Sequence, residues 1–384
     1  MAMPSDSIGF SVRRIDAFAF RVPIEAPVHT SFGIMRDRPA VFIRIEDTHG
    51  GFGWGEVFAN WPAAGAEHRV NLLMDDVAAM TIGQSWPSPR EMFLHLVRAT
   101  RIRALQCGEP GPFAQVIAGL DIAGWDLVAR RAGKPLAKML SADAAERVDT
   151  YASGIKVDDA PGTIPASRAA GFTRFKVKVG FGANDIEKVL ALADVNLAGE
   201  LLFVDANQAW SFTEAREFID RTMDASLGWV EEPLPVFAAR EEWAGLAEMG
   251  VPIAGGENIF GEQDFGQAVS DNILSVIQPD LVKWGGISGC FEVAKRVREG
   301  GKLYCPHFLG GGIGLAASAQ LLAAAGGAGM LEVDVNMNPL RSLFHLGGAR
   351  QGAGYWEIGS EPGLGVVDLP EALFEFLTLH RTFM

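Results

Sequence analysis

Short apolar segments alternate with helical segments from about Arg147 onward, and this alternation restricts the possible folds more than any other feature of the chain. Strands that alternate with helices predict parallel βαβ units. Eight strand candidates follow one another along the sequence: VDTYASGI, RFKVKVG, LLFVDAN, GWVEEP, PIAGGEN, SVIQPD, KLYCPHF and GMLEVD. Eight strands fit a (β/α) barrel. A flat doubly wound sheet is the alternative, although no glycine fingerprint follows the first strand.

An ionisable residue stands at the end of seven of these strand candidates, and successive positions differ by 23 to 27 residues. Charged side chains are seldom buried unless they are paired or coordinate an ion. Active sites of parallel barrels lie at the C-terminal ends of the strands. The register therefore predicts an active site rather than seven ordinary loop residues. The seven residues are Lys178, Asp205, Glu231, Glu257, Asp280, His307 and Glu332.

Three consecutive positions of this series are carboxylates, namely Asp205, Glu231 and Glu257. Carboxylates that face a common axis repel one another unless a cation neutralises them. A ligand set made only of oxygen atoms selects a hard divalent ion, and Mg²⁺ is the first choice. Asn207 follows Asp205 by two residues and is expected to point the same way. Glu232 alternates outward and is left out of the metal set.

The segment RFKVKV places Lys176 and Lys178 on one face of a strand, because side chains alternate between the two faces. We interpret this face as directed into the barrel mouth. The alternative is a solvent-exposed edge strand, which conflicts with the flanking parallel units. Burial and nearby cations are expected to lower the pKa of Lys178 toward the range of a general base.

Asp280 and His307 end adjacent strands, so that the carboxylate can orient the imidazole. His307 is the only one of the seven histidines at a predicted strand end. Glu332 would donate a hydrogen bond to a developing oxyanion if it were protonated. The run GGGIG after His307 lacks the GK[ST] ending of a phosphate loop, and we interpret it as a close-packed loop.

The first part of the chain, up to about residue 100, predicts an α+β unit. RIDAFAFRV and PAVFIRIEDTHGGFGWGEV are typical of a strand meander with HGG as a turn. PIEAPVHTSFGIMRDRP contains three prolines and predicts a long loop between them. Helices are predicted in PREMFLHLVRATRIRALQ and in PFAQVIAGLDIAGWDLVARRAGKPLAKML, where Gly133 ends the helical pattern.

The net charge of −14 disfavours nucleic acid or an anionic membrane as a partner. The first residues contain no apolar core of signal-peptide length, and no stretch approaches the roughly 20 apolar residues of a membrane span. The three cysteines form no CxxC pair, which is typical of a reduced compartment. We therefore expect a cytoplasmic protein.

In their order along the chain, GLDIAGWDLVARRAGKPLAKML, KVK, DANQAW, VEEP, GEN, QPD and PHF resemble the enolase superfamily, and within it the mandelate racemase subgroup. The resemblance covers nearly the whole chain. It implies a modified (β/α)₇β barrel of the TIM type with an N-terminal α+β capping domain. The implied parts are a capping domain with linking helices (1–145), the barrel (146–340) and a segment that packs with the capping domain (341–384).

The same resemblance implies metal ligands at Asp205, Glu231 and Glu257, and a base at Lys178. It also implies an Asp280–His307 dyad on the opposite face and a Lys176 that helps to bind the substrate carboxylate. Together these roles imply an enzyme that abstracts the α-proton of a small-molecule carboxylate bound to Mg²⁺.

We predict dehydration of an acid sugar to a 2-keto-3-deoxy acid, with racemisation or epimerisation of a 2-hydroxy acid as the alternative. A binding protein that has lost catalysis is a third reading, but no member of the ligand set is missing. Substrate contacts are expected from residues of the barrel and of the loop near the N-terminus: Ser153, Asn207, His29, Arg36 and Arg38. A homo-oligomer is expected, because most soluble oligomers are symmetric assemblies of one chain.

Overall fold

The structure is a computed structural model that describes residues 9–30, 33–182 and 184–384, and the side chains at positions 25, 26 and 28–30 lie outside this description. The strands are β1 (Phe10–Thr30), β2 (Gly33–Asp47), β3 (Phe52–Val57), β4 (Ser85–Trp86), β5 (Arg147–Lys156), β6 (Arg174–Lys178), β7 (Leu201–Asp205), β8 (Val230–Glu231), β9 (Ile253–Gly255), β10 (Val276–Ile277), β11 (Leu303–Tyr304), β12 (Met330–Asp334), β13 (Arg350–Gln351), β14 (Tyr355–Glu357) and β15 (Leu377–Phe383).

The helices are α1 (Gly65–Leu72), α2 (Ala78–Thr81), α3 (Pro89–Gln106), α4 (Pro110–Arg131), α5 (Leu136–Leu140), α6 (Ala160–Ala169), α7 (Asp185–Asp194), α8 (Phe212–Thr222), α9 (Arg240–Ala247), α10 (Glu262–Ser270), α11 (Gly286–Glu299), α12 (Gly312–Ala325) and α13 (Pro339–Ser342). Within the described ranges, no helix is both long and apolar enough to cross a membrane.

The N-terminal unit is an antiparallel sheet in the order β15-β1-β2-β3, with β4 paired to β1, and helices pack on it. The predicted meander is confirmed. α4 packs against β3 at glycine contacts, since a Cβ on Gly55 would lie only 2.0 Å from the carbonyl oxygen of Gly119. Both predicted helices are confirmed, and Gly133 adopts a φ of 64° just after the end of α4.

The predicted long loop between β1 and β2 is wrong. β1 continues to Thr30 and β2 begins at Gly33, so that Val28 pairs with Met35 in a long hairpin. The pairing register shifts between Pro23 and Val28. Such an irregularity accommodates the missing N–H groups of prolines within a paired strand. Cross-strand pairing therefore outweighs the local turn signal.

The second unit is a barrel of eight parallel strands, β5 to β12, in which each strand up to β11 pairs with its sequence neighbour. β12 pairs with β5 and so excludes a flat sheet. Between β11 and β12, the Met330 N–H donates to Cys305 Sγ at 3.4 Å. The seven helices α6 to α12 each follow one strand, which confirms the predicted (β/α)₇β barrel.

The C-terminal residues contact both units. β14 pairs antiparallel with β5 at the barrel, and β15 pairs antiparallel with β1 in the N-terminal sheet. Below the strand ends, the barrel interior is filled by apolar side chains, and the rings of Phe203 and Trp229 stack at 3.6 Å. The polar residues at the strand ends lie directly above this apolar layer.

Candidate active site

Strand register brings three of the predicted site residues to one level of the barrel. Lys178 of β6 lies opposite Asp205 of β7, and Asp205 lies opposite Glu231 of β8. Just past these strands, Asn207, Gln208 and Glu232 adopt φ values of 44°, 63° and 41°. Residues other than glycine that adopt this left-handed backbone conformation are concentrated at functional sites.

Lys176 lies at the centre of a buried ion-pair network. Its Nζ is 2.6 Å from Glu231 Oε1, 2.8 Å from Glu332 Oε1 and 3.8 Å from Asp205 Oδ2. The side chain is 1% exposed. Burial lowers the pKa of Lys176, but the charges of Glu231 and Glu332 outweigh burial and hold the pKa well above its usual value. Lys176 is therefore a permanent cation that neutralises carboxylates.

Lys178 lies closer to the barrel mouth than Lys176. Its Nζ donates to Asp205 Oδ2 at 3.0 Å and to Asn207 Oδ1. The expected lowering of its pKa is wrong for this arrangement: burial does lower the pKa, but the adjacent charge of Asp205 raises it above the usual value. Lys178 holds its proton as long as Asp205 is its partner.

His307 lies between two carboxylates. Its Nδ1 is 2.8 Å from Asp280 Oδ2 and its Nε2 is 2.9 Å from Glu257 Oε2. Burial lowers the pKa of His307, but the charge of Glu257 and the hydrogen bond with Asp280 raise it well above its usual value. Asp280 itself is fixed locally, since its Oδ1 accepts the N–H groups of Val282 and Lys283. The imidazole is thus held as a proton donor, as the predicted dyad requires.

Glu332 does not meet the condition of being protonated, under which it would donate to an oxyanion. Burial raises its pKa, yet Lys176 and His307 lower it to about 2. The carboxylate accepts the Phe308 N–H at 3.1 Å and the hydroxyl of Ser153. Glu332 is therefore an ionised acceptor beneath the site and has no proton to donate to an oxyanion.

The predicted substrate contacts occupy different places. Asn207 lines the cavity beside Lys178. Ser153 is buried and its hydroxyl is used by Glu332, which makes it a supporting residue. Arg36 is exposed on β2. Arg38 is buried and forms an ion pair with Asp334, in which Nη2 lies 3.2 Å from Oδ2. The side chain of His29 lies outside the described part of the chain.

A cavity of about 1090 Å³ opens above these strand ends, and both Lys178 and His307 line it. Its outer wall comes from the N-terminal unit, with side chains that are mostly apolar: Met35, Phe58, Asn60, Trp61 and Pro62. The site therefore combines a charged floor in the barrel with a wall supplied by the other unit. Pockets at the boundary between two units commonly bind small molecules.

Carboxylates outnumber cations at this end of the barrel. Burial raises the pKa of Glu231 to about 7, although Lys176 opposes the shift. Burial and the charge of Glu257 raise the pKa of Glu232 to about 8. Surplus buried carboxylates of this kind fit a hard divalent cation.

Each of the three predicted metal ligands forms an ion pair with a positively charged side chain of the protein. Asp205 pairs with Lys178, Glu231 with Lys176 and Glu257 with His307. Over the described ranges, no three His, Cys, Asp or Glu side chains are gathered around one point as a metal site. The all-oxygen donor set and its surplus charge suit Mg²⁺, and the site remains a prediction.

Several side chains that support the site are not among the site residues predicted from the sequence. Gln278 donates to Glu231 at 2.7 Å, and Lys283 Nζ lies 3.6 Å from Glu257 Oε2. Glu56 of β3 accepts the N–H groups of Gly311 and Gly314 at 2.5 and 2.7 Å. The backbone N–H groups of the GGGIG run thus bind a carboxylate of the protein itself, which confirms the prediction of a close-packed loop. QPD directly follows strand β10, and this position is the signal that could have identified Gln278, whereas Glu56 lies inside β3 and has no comparable signal.

Two family models match the chain. Residues 14–141 match the N-terminal domain of the mandelate racemase / muconate lactonizing enzyme family, and residues 164–371 match a domain described as enolase C-terminal domain-like. A mandelate racemase/muconate lactonizing enzyme from Bordetella bronchiseptica RB50 is 44% identical, with a TM-score of 0.89, over 95% of this chain and 99% of that chain. A racemase from Streptomyces coelicolor A3(2) with bound magnesium is 25% identical, with a TM-score of 0.84, over 96% of this chain and 100% of that chain.

Relatives with assigned reactions fall into more than one class. The chain is 29% identical to a D-galactarolactone cycloisomerase of Agrobacterium fabrum, over 88% of this chain and 91% of that protein. It is 33% identical to an L-talarate/galactarate dehydratase of Salmonella typhimurium, over 52% of each. The two names describe different reactions, a cycloisomerisation and a dehydration, so the comparisons select neither reaction for this chain.

Proposed function

The chain belongs to the enolase superfamily, in its mandelate racemase group, and from this premise we propose that it is an acid-sugar dehydratase. The proposed reaction removes the α-proton and the β-hydroxyl of a sugar-acid carboxylate and yields a 2-keto-3-deoxy acid. The names of the dehydratases among its relatives support this class.

One observation carries the proposal: Lys178 at the end of β6 and His307 in the loop after β11 line the same cavity, and each has its own carboxylate partner, Asp205 for the lysine and Asp280 for the imidazole. A dehydratase needs one group to accept a proton from carbon and another to donate a proton to the departing hydroxyl. His307 Nδ1 lies 2.8 Å from the carboxylate of Asp280, which is not a proposed metal ligand and therefore remains in place to stabilise the protonated imidazole. It therefore suits the donor, which leaves Lys178 as the acceptor.

The proton and bond changes balance within this pair. Lys178 Nζ takes the α-proton, the electron pair of that C–H bond forms the carbon–carbon double bond, and the β-carbon–oxygen bond breaks. His307 donates the proton with which the hydroxyl leaves as water. The resulting enol gains a proton at carbon 3 and loses the proton of its carbon-2 hydroxyl, which gives the 2-keto acid.

Asp205, Glu231 and Glu257 would hold a divalent cation, for which we propose Mg²⁺. When bound, this ion supplies positive charge beside the substrate carboxylate and next to Lys178, which favours loss of the α-proton and lowers the pKa of the lysine. The residues of the chain perform the other tasks. Lys176 keeps Glu231 and Glu332 neutralised, and Asp280 holds His307 in the orientation of a donor.

Removal of divalent cations is expected to abolish turnover, and addition of Mg²⁺ to restore it. The reason is that the carboxylates of the site otherwise retain their pairs with Lys178 and His307. Glu231→Ala is expected to abolish activity that depends on Mg²⁺ while the barrel still folds, because this residue stands at the rim. The measurement is turnover after chelation and after addition of metal, with circular dichroism as the control for folding. Full turnover after exhaustive chelation would contradict the metal assignment.

The experiment for the reaction itself is a screen of mono- and diacid sugars with Mg²⁺, in which formation of a 2-keto-3-deoxy acid is measured. A product with all its hydroxyls and an inverted α-carbon would instead establish a racemase or epimerase. That alternative is favoured by the same two residues, which could both act as bases in one cavity. A ring-opened product with no loss of water would establish a cycloisomerase. An absence of deuterium exchange at the α-carbon with any acid would favour a binding protein.

A further inference from the structure

Glu56 connects the N-terminal unit to the part of the barrel that carries His307. It stands near the end of β3, is 2% exposed, and accepts two backbone N–H groups at the start of α12. Its carboxylate leaves no room for side chains there: a Cβ on Gly310 would lie 2.7 Å from Glu56 Oε1. Glycine at these positions therefore allows the Glu56 carboxylate to approach the backbone of the loop.

The residues after Glu56 continue this contact. The Phe58 N–H donates to the Val282 carbonyl at 3.2 Å, and Asn60 Nδ2 donates to the Leu309 carbonyl at 2.8 Å. Val282 follows Asp280 by two residues and Leu309 follows His307 by two residues. The segment 56–60 is thus bonded to both loops that bear the dyad.

The same segment also forms the cavity wall. Phe58 and Asn60 line the cavity together with His307 and Leu309. A shift of this segment would change the wall and the loop that holds the imidazole at the same time.

We propose that Glu56 is a positioning residue, which anchors the segment 56–60 and thereby sets the place of the His307 imidazole relative to the cavity wall. The catalytic meaning of this position rests on the proposed function, in which His307 donates the proton to the departing hydroxyl. Glu56 does not reach the cavity and acts through the backbone of the loop between His307 and Gly314.

Charge supports this role. Two N–H donors are best satisfied by an ionised carboxylate, because a protonated one loses part of its acceptor capacity. Burial raises the pKa of Glu56 to about 7, the two N–H groups lower it, Asp280 raises it and Arg341 lowers it. The carboxyl is therefore about half ionised at pH 7, so the anchor strengthens as the pH rises above that value and weakens as it falls below it.

Asp121 offers a matched control. It is a second buried carboxylate of the N-terminal unit that binds the start of a barrel helix, since it accepts the Ser288 N–H at 2.8 Å and the Ser288 hydroxyl at 2.6 Å. Burial likewise raises its pKa to about 7. Unlike Glu56, Asp121 contacts α11 several residues beyond Asp280, and its neighbours do not line the cavity.

The test compares Glu56→Gln with Asp121→Asn in the Mg²⁺-loaded protein by NMR of the His307 ring, assigned with His307→Asn. Glu56→Gln is expected to shift the low-field His307 N–H resonance, and Asp121→Asn to leave it in place even though both variants lose stability. With a turned-over substrate in D₂O, Glu56→Gln is expected to lower product formation about 10- to 100-fold relative to α-proton exchange. Asp121→Asn is expected to keep the ratio of product formation to exchange.

An unchanged His307 resonance and an unchanged ratio in Glu56→Gln would overturn the proposal and leave Glu56 a structural residue. If Glu56→Gln does not fold, Asn60→Ala removes the neighbouring bond at a partly exposed position, and a resonance unchanged there overturns the proposal equally. Failure of the proposed function gives a different result, because the wild-type protein would then form no 2-keto acid while the resonance comparison still applies.

Discussion

Replacing Lys178 with methionine is expected to abolish both α-proton exchange and product formation, whereas replacing His307 with asparagine is expected to abolish product formation and to leave exchange. Lys178 and His307 line one cavity but have separate partners, Asp205 for the lysine and the Asp280 and Glu257 carboxylates for the imidazole. Removal of a general acid or base typically costs 10²- to 10⁴-fold in rate. Each loss should therefore be visible in a kinetic assay.

The measurement is proton NMR of each variant in D₂O with a substrate that the wild-type protein turns over. Lys295→Met is a matched control, because this half-buried lysine of α11 does not line the cavity and its contact with Glu292 is long, at 3.4 Å. It should leave both rates unchanged. Exchange that survives in Lys178→Met and vanishes in His307→Asn would reverse the two roles, as expected for a substrate of opposite α-configuration. A product that keeps all its hydroxyls and differs only in α-configuration would favour a racemase.

The barrel and the position of its polar rim could be predicted from the sequence, because both follow from local patterns. Period-two alternation placed Lys176 and Lys178 on one face, and the spacing of strand ends placed Asp205 and Glu231 at one level, as the strand register now shows. Residues that end the parallel strands of a barrel must lie near one another, since the C-terminal ends of these strands form one rim.

Contacts between the two units could not be predicted in this way. Nothing local indicates that Glu56 reaches Gly311 or that Arg38 reaches Asp334, because these partners are distant in sequence and meet only when the N-terminal sheet docks on the barrel. The hairpin of β1 and β2 was missed for a similar reason: its prolines signal a loop, and pairing between long strands overrides them.

Charge states also depend on contacts that a sequence does not show. Glu332 was considered as a proton donor from its position alone, yet Lys176 at 2.8 Å keeps it ionised. The pKa of Lys178 was expected to fall through burial and like charge, but Asp205 at 3.0 Å reverses the sign. In each case, a partner on another strand decides the direction of the shift.

Lys176→Met is expected to lower the free energy of unfolding by about 3–5 kcal/mol, because it removes the cation and leaves Glu231 and Glu332 buried without compensation. The direction agrees with the low pKa of Glu332, which is about 2 in the folded protein because Lys176, His307 and the Ser153 hydroxyl stabilise the carboxylate against the effect of burial.

The sign of the pH dependence provides the sharper test of Lys176→Met. A carboxylate whose pKa is depressed by folding stabilises the protein above its unfolded pKa, and this stability is lost as the pH falls toward the folded pKa of about 2. The deficit of the variant should thus be full at neutral pH and shrink below about pH 4 as Glu332 takes up its proton. Urea unfolding of the variant and the wild-type protein at several pH values measures this difference, and Lys295→Met, expected to change stability by less than about 0.5 kcal/mol, is the control. A deficit that is small at neutral pH, or one that grows toward acid, would show that Lys176 does not neutralise the carboxylates of the barrel.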